Sequence, residues 1–136
     1  VIAARLRDLF SHIRDYTLTD LHLLKIGRHF RLSAELKIIL GRDRSENEQI
    51  RAVAGTGALL FEPFDFPGPT CLATGSPGAE AERMIGQMMA GYSREGKPRY
   101  KIKKKILGKG ETLFLVDKKV AKEEAARLQI GGSGNG

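Results

Sequence analysis

Between Lys97 and Lys109 the chain reads KPRYKIKKKILGK, with cations at Lys97, Arg99, Lys101, Lys103, Lys104, Lys105 and Lys109 and no acid until Glu111. Arg99, Lys101, Lys103 and Lys105 alternate with Tyr100, Ile102 and Ile106, and Lys104 alone breaks the rhythm. Side chains of a strand point to opposite faces in turn, so this spacing predicts a strand that is basic on one face and apolar on the other. A row of cations is suited to neutralising phosphates. Tyr100 has the chemistry to stack on an unpaired base, but its place on the apolar side fits core packing as well.

Two further groups of polar residues stand near predicted strand ends. GRHFR sets Arg28, His29 and Arg31 around Phe30. GRDRSENE sets Arg42 and Arg44 at a strand-to-helix junction, where free N–H groups and the helix dipole favour an anion. Asn47 donates and accepts at once, which suits a base edge, a ribose hydroxyl or the backbone of the junction itself.

Catalytic constellations are missing from the sequence. It contains no GxSxG nucleophile elbow and no GxxxxGK[ST] phosphate loop. Glu46 and Glu48 are two residues apart on a predicted helix and do not face one another. Cys71, the single cysteine, sits in the apolar run TCLATG with no neighbouring activator, so it reads as a buried structural thiol. His12, His22 and His29 lack the spacing of a shared metal site. No cofactor and no metal are expected.

The formal net charge of +7 and pI of about 9.8 favour a polyanionic partner, with nucleic acid ahead of an anionic membrane surface. No apolar run approaches the ~20 residues of a spanning helix, so no membrane partner is expected. One cysteine allows no internal disulfide, which fits a reducing, cytoplasmic setting.

The elements that must position these residues follow from periodicity. Ile2, Leu6, Leu9, Phe10 and Ile13 predict a helix over 2–15. Thr17 or Thr19 caps a shorter helix ended by Gly27. GRHFRLS and ELKIILG predict a hairpin. A helix over RDRSENEQIRAVAG takes Ser45 as its N-cap, with Glu48 in capping-box register. ALLFEPF and TCLATG are strands around an FPGP turn. Ser76 and Pro77 open a helix whose Ala81, Met84, Ile85, Met88 and Met89 form a core-facing stripe. ETLFLVD pairs with the basic strand, and KKVAKEEAARLQI is a last helix. The 136 residues therefore predict one α+β (mixed α/β) domain: five or six mostly antiparallel strands packed with two or three helices, plus N-terminal helices. Residues 1–26 form an N-terminal helical segment, 27–130 the domain and 131–136 a flexible tail. VIAARLRDLF reads like a helix interior and is expected to continue from an upstream domain.

LKIILGRDRSENEQI resembles the NFACT-R (NFACT RNA-binding) domain, in which a strand ends in Gly-Arg and an Asn-Glu pair opens a helix. The matching residues are Gly41, Arg42, Asn47 and Glu48. The strand-turn-strand ALLFEPFDFPGPTCLATG, the helix AEAERMIGQMMAGYSR and the basic strand RYKIKKKILGKGETLFL follow in the family's order. FEPFDFPGP replaces the family's His-containing segment. In that form the sequence is similar to the C-terminal domain of thiouridine-synthase-like tRNA sulfur-modification proteins. There an upstream adenylating domain carries the chemistry on a Ser-Gly-Gly phosphate loop, absent here. The resemblance implies a non-catalytic RNA-binding module, with tRNA as partner and the upstream catalytic domain of the same parent chain as neighbour. Its expected contacts are Arg28, His29, Arg31, Arg42, Arg44, Asn47, Lys97, Arg99, Lys101, Lys103, Lys105 and Lys109. Two alternatives stay open: a ribosome-associated quality-control module, and a sulfur-carrier enzyme domain using Cys71.

Overall fold

The computed structural model describes residues 2–117, 120 and 122–131. Helix α1 (Ile2–His12) and helix α2 (Leu18–Leu23) precede a hairpin of β1 (Arg28–Ser33) and β2 (Leu36–Leu40). Helix α3 (Arg44–Val53), β3 (Leu59–Pro63), β4 (Cys71–Thr74) and α4 (Ala79–Gly91) follow. The chain closes with the hairpin β5 (Tyr100–Ile106) and β6 (Gly110–Val116), then α5 (Lys122–Leu128). The six strands form one sheet in the order β1-β2-β4-β3-β5-β6, and every pairing is antiparallel. This is the α+β architecture expected, with six strands.

Both faces of the sheet's β1–β3 half are covered. On one face Phe30, Ile38, Phe61, Ile85, Met89 and Ile102 belong to a core between sheet, α4 and α5. On the other, Ile39, Leu60 and Leu72 pack with Leu23, Ile26 and Ile50 of the α2–α3 side. Burial on both faces explains why β2, LKIIL, is buried along its whole length and reads as a continuous apolar run. Of the predicted α4 stripe, Ile85, Met88 and Met89 are buried, while Ala81 and Met84 pack at the edge of the same core.

Helix α1 is tied down by polar groups. Arg5, only 3% exposed, donates to the carbonyls of Leu24 at 2.6 Å and Gly27 at 2.9 Å. Gly27 has φ +72°, and a Cβ there would collide with the Leu40 carbonyl, so the entry into β1 needs glycine.

Several helix ends differ from expectation. The first helix stops at His12 rather than Asp15. Thr17 caps α2 in a reciprocal capping box with Asp20. Asp43, not Ser45, caps α3: its carboxylate accepts from Glu46 N at 2.9 Å, the better partner for a helix N-terminus. Ser45 lies inside the first turn, where its hydroxyl accepts from Gln49. Helix α4 starts after an extended Gly78 with no side-chain cap, leaving Pro77 outside. Residues 118, 119 and 121 of the last predicted helix, and all but Gly131 of the expected tail, lie outside the described residues. Among the described residues no helix is long and apolar enough to cross a membrane.

Candidate nucleic-acid interface

The apolar cluster on the second face of the sheet takes its strand residues from β2, β3 and β4, with none from β5 or β6. On this bare face Lys101, Lys103 and Lys105 point outward opposite Leu115, Leu113 and Glu111 of β6. Leu113 and Leu115 are 50% and 49% exposed. Tyr100 and Ile102 point the other way into the core. Lys104 shares the core-side face and ends in an ion pair with Glu82 of α4. The lysine that broke the alternation thus has its own use at the rim of the core.

Phe64 completes the bare face. It follows β3 in a turn held against β5: Phe64 N donates to the Lys101 carbonyl at 2.9 Å. Lys101 N donates to Asp65 Oδ1 at 2.9 Å, and this bond is the main reason the Asp65 carboxyl lies below its ordinary range. Lys97 Nζ donates to the Asp65 carbonyl at 2.8 Å and pairs with its carboxylate at 3.3 Å. So anchored, the Phe64 ring is 51% exposed, with Lys101 Nζ 5.5 Å and Lys103 Nζ 5.4 Å from its centroid. An open aromatic flanked by cations on a sheet face offers stacking for an unpaired base and neutralisation for its phosphates. Part of the charge is already met: Lys105 pairs with Glu62 at 2.8 Å and Lys103 approaches Glu111 at 3.7 Å.

The antiparallel register brings a second basic region to one end of the sheet. The start of β1, the end of β2 and the start of β4 meet there, as do the end of β3 and the start of β5. A cleft of about 450 Å³ opens at this end, with Arg28, Arg42, Arg44, Asn47, Tyr92 and Arg94 in its wall. Arg28 lies over the Tyr92 ring at 4.7 Å. Arg42 is held by Glu46, Nε at 3.0 Å and Nη2 at 2.8 Å. The Arg42 hydrogen bond is the first cause that lowers the Glu46 carboxyl to about 2. Arg44 points into solvent, its side chain 93% exposed.

The remaining expected contacts divide by environment. His29 is fully buried; its Nε2–H donates to the carbonyls of Leu23 at 3.0 Å and Ile26 at 2.9 Å. Desolvation, helped by Lys37 and Arg5, lowers its pKa to about 3. It is therefore not presented at the surface, because α1 and α2 cover the face of β1 on which it sits. Arg31, on the same face, donates from Nε and Nη2 to the Asp8 carboxylate of α1. Asn47 Oδ1 accepts from Thr70 N at 3.0 Å, and its side chain occupies the space a Cβ at Gly41 would need. The Gly-Arg…Asn spacing thus has a packing reason. Arg99 is exposed beside the cleft end of β5, while Lys109 is exposed on the turn at the opposite end.

Sequence reasoning misses Phe64, Leu113, Leu115, Tyr92 and Arg94. Only Phe64 leaves a signal, an aromatic in a Pro- and Gly-rich turn where burial is not expected. Tyr100 has the opposite fate: its hydroxyl donates to the Glu95 carbonyl at 2.7 Å and its ring meets Phe66 edge-on at 5.2 Å. Cys71 is fully buried, and burial pushes its thiol pKa well above the ordinary value. Its sulfur is sealed in the core rather than open at the surface.

A six-stranded antiparallel sheet with helices on both faces and an open basic, aromatic patch at one edge defines a small α+β binding module. The model of the NFACT protein RNA-binding domain matches residues 27–128, and the chain belongs to that family. It is an RNA-binding module. Among solved structures it is similar to one described as the C-terminal of the fibronectin/fibrinogen-binding protein from Streptococcus suis (FBPS). The TM-score is 0.61 at 12% identity, covering 96% of this chain and 67% of the other. A search of the curated proteins gave no match.

Proposed function

We propose that this module holds tRNA through its unpaired regions, so that a separate adenylating domain of the parent protein can modify a uridine with sulfur. The observation that carries the RNA surface is Phe64, exposed between Lys101 and Lys103 on the bare β5–β6 face. Such a face favours single-stranded nucleotides, whose bases are free to stack, over a duplex whose bases are not. The tRNA and sulfur assignments rest on the resemblance of GRDRSENE and EPFDFPGPT to the thiouridine-synthase-like branch. Arg99 and the lysines supply phosphate contacts that position the RNA without reading its sequence.

Competition at one salt concentration tests the reading. A tRNA is expected to bind about tenfold or more tightly than a perfect RNA duplex of similar length, the worth of one base stacked on an aromatic side chain. Equal or tighter duplex binding contradicts it. Incubated with tRNA, ATP and a sulfur donor, the chain alone is expected to leave nucleoside masses unchanged. Appearance of thiouridine, lost on a point substitution within the chain, would overturn the division of labour.

A further inference from the structure

The arginine-walled cleft is separate from the β5–β6 face: β2, which leads into it, and β5 are three strand positions apart, about 14 Å along the sheet. We propose that this cleft is a seat for a nucleotide bearing a terminal phosphate monoester, at an RNA chain end or free in solution. The inference goes beyond the RNA surface described above, and its chain-end form rests on that reading.

Charge supports the assignment. Arg28, Arg42, Arg44 and Arg94 line the cleft beside one carboxylate residue, Asp43. That carboxylate is turned to the α3 backbone, accepting from Glu46 N. Glu46 engages Arg42 through Nε and Nη2, and Nη1 has no partner among the described residues. Glu48 reaches Arg44 only at 3.6 Å on an exposed side chain, where an ion pair counts for little. Arg94 is exposed and pairs with no acid among the described residues.

Organisation supports it too. Arg28 is steadied by the Tyr92 ring, Arg42 by Glu46, and Asn47 by its bond from Thr70 N, its amide N–H groups having no partner among the described residues. Donors fixed before the ligand arrives lose little entropy on binding. The lysines of the open face, on long flexible stems, lack that advantage. A monoester carries more charge than a diester near neutral pH and offers three acceptor oxygens to planar guanidinium forks. The cleft, about 450 Å³, is larger than a bare phosphate needs and lies in the ~300–1,000 Å³ range of small-molecule sites.

The test uses one short single-stranded RNA in four forms: unphosphorylated, 5′-phosphorylated, 3′-phosphorylated and both. One phosphorylated end is expected to raise affinity about tenfold or more, as hydrogen bonds to a charged group would. Arg94→Gln, on an exposed loop, and Arg28→Gln should each cut that preference, read as the ratio of affinities for the phosphorylated and unphosphorylated forms. Adenosine 5′-monophosphate that displaces the phosphorylated RNA identifies free nucleotides as ligands as well. A preference that resists it assigns the site to chain ends. Equal affinity for all four forms overturns the proposal even where RNA binds well, and so does a preference undiminished in both variants. Should unphosphorylated RNA fail to bind while phosphorylated RNA binds, the open-face reading falls and the cleft stands.

Discussion

Phe64 and His29 exchange the places their residue types suggest. Phe64 is a large apolar side chain left open, and the turn around Asp65 holds it there. Phe64→Ala removes little buried surface, so melting should change slightly. RNA affinity should fall by about 1–3 kcal/mol, the usual worth of a base stacked on an aromatic. Unchanged affinity in a binding titration would take Phe64 out of the interface. His29 is an imidazole sealed inside. Its Nε2–H is used and its Nδ1 is buried with no partner. A proton on Nδ1 would therefore meet desolvation, and Lys37 and Arg5 besides. The folded-state pKa, about 3, lies below the ordinary value of 6.5. The unfolded chain thus takes up a proton as pH falls through 6.5 while the folded chain does not. Stability should be full above that pH and decline steadily toward pH 3. Urea midpoints across pH 7.5 to 4 read this, and a midpoint that does not fall would contradict it. Glu46, lowered to about 2 from 4.5, adds a further loss as pH falls below 4.5.

At the scale of elements, β5 carries two functions on two faces. Ile102 is fully buried and Lys101 and Lys103 lie opposite it. Ile102→Ala should cost on the order of 2–5 kcal/mol of stability, measured by chemical denaturation. Lys101→Ala with Lys103→Ala should move stability by about 0.5 kcal/mol or less per site. The reverse pattern would mean the register is off by one residue. This strand was legible because period-two alternation survives wherever one face is dry and the other wet. The β1–β2 hairpin and the α4 stripe were legible on the same kind of pattern. Strand order was not, since β4 enters between β2 and β3 through pairings that leave no local trace. His29 and Arg31 misled because alternation gives the face of a side chain, not what covers that face. Here α1 covers it through Arg5 and Asp8. Nor could spacing alone assemble the cleft, where the start of β1, the end of β2 and the loop after α4 bring Arg28, Arg42 and Arg94 together.

For the whole molecule the central claim is that one open sheet face, part basic and part aromatic, is where RNA is held. The net charge of +7 would draw polyanions to any part of the surface, so charge alone does not locate the site. Salt dependence joined to mutation does. If about four phosphates are neutralised, log K should fall against log salt with a slope of roughly −3 for a single strand. The measurement is the affinity for single-stranded RNA over a salt series, made on the unchanged chain and on the Lys101→Ala, Lys103→Ala pair. The account predicts a slope near −3 that becomes shallower by about 1.4 in the double variant, about 0.7 for each phosphate no longer neutralised. A slope near zero, or one identical in the two proteins, would contradict it.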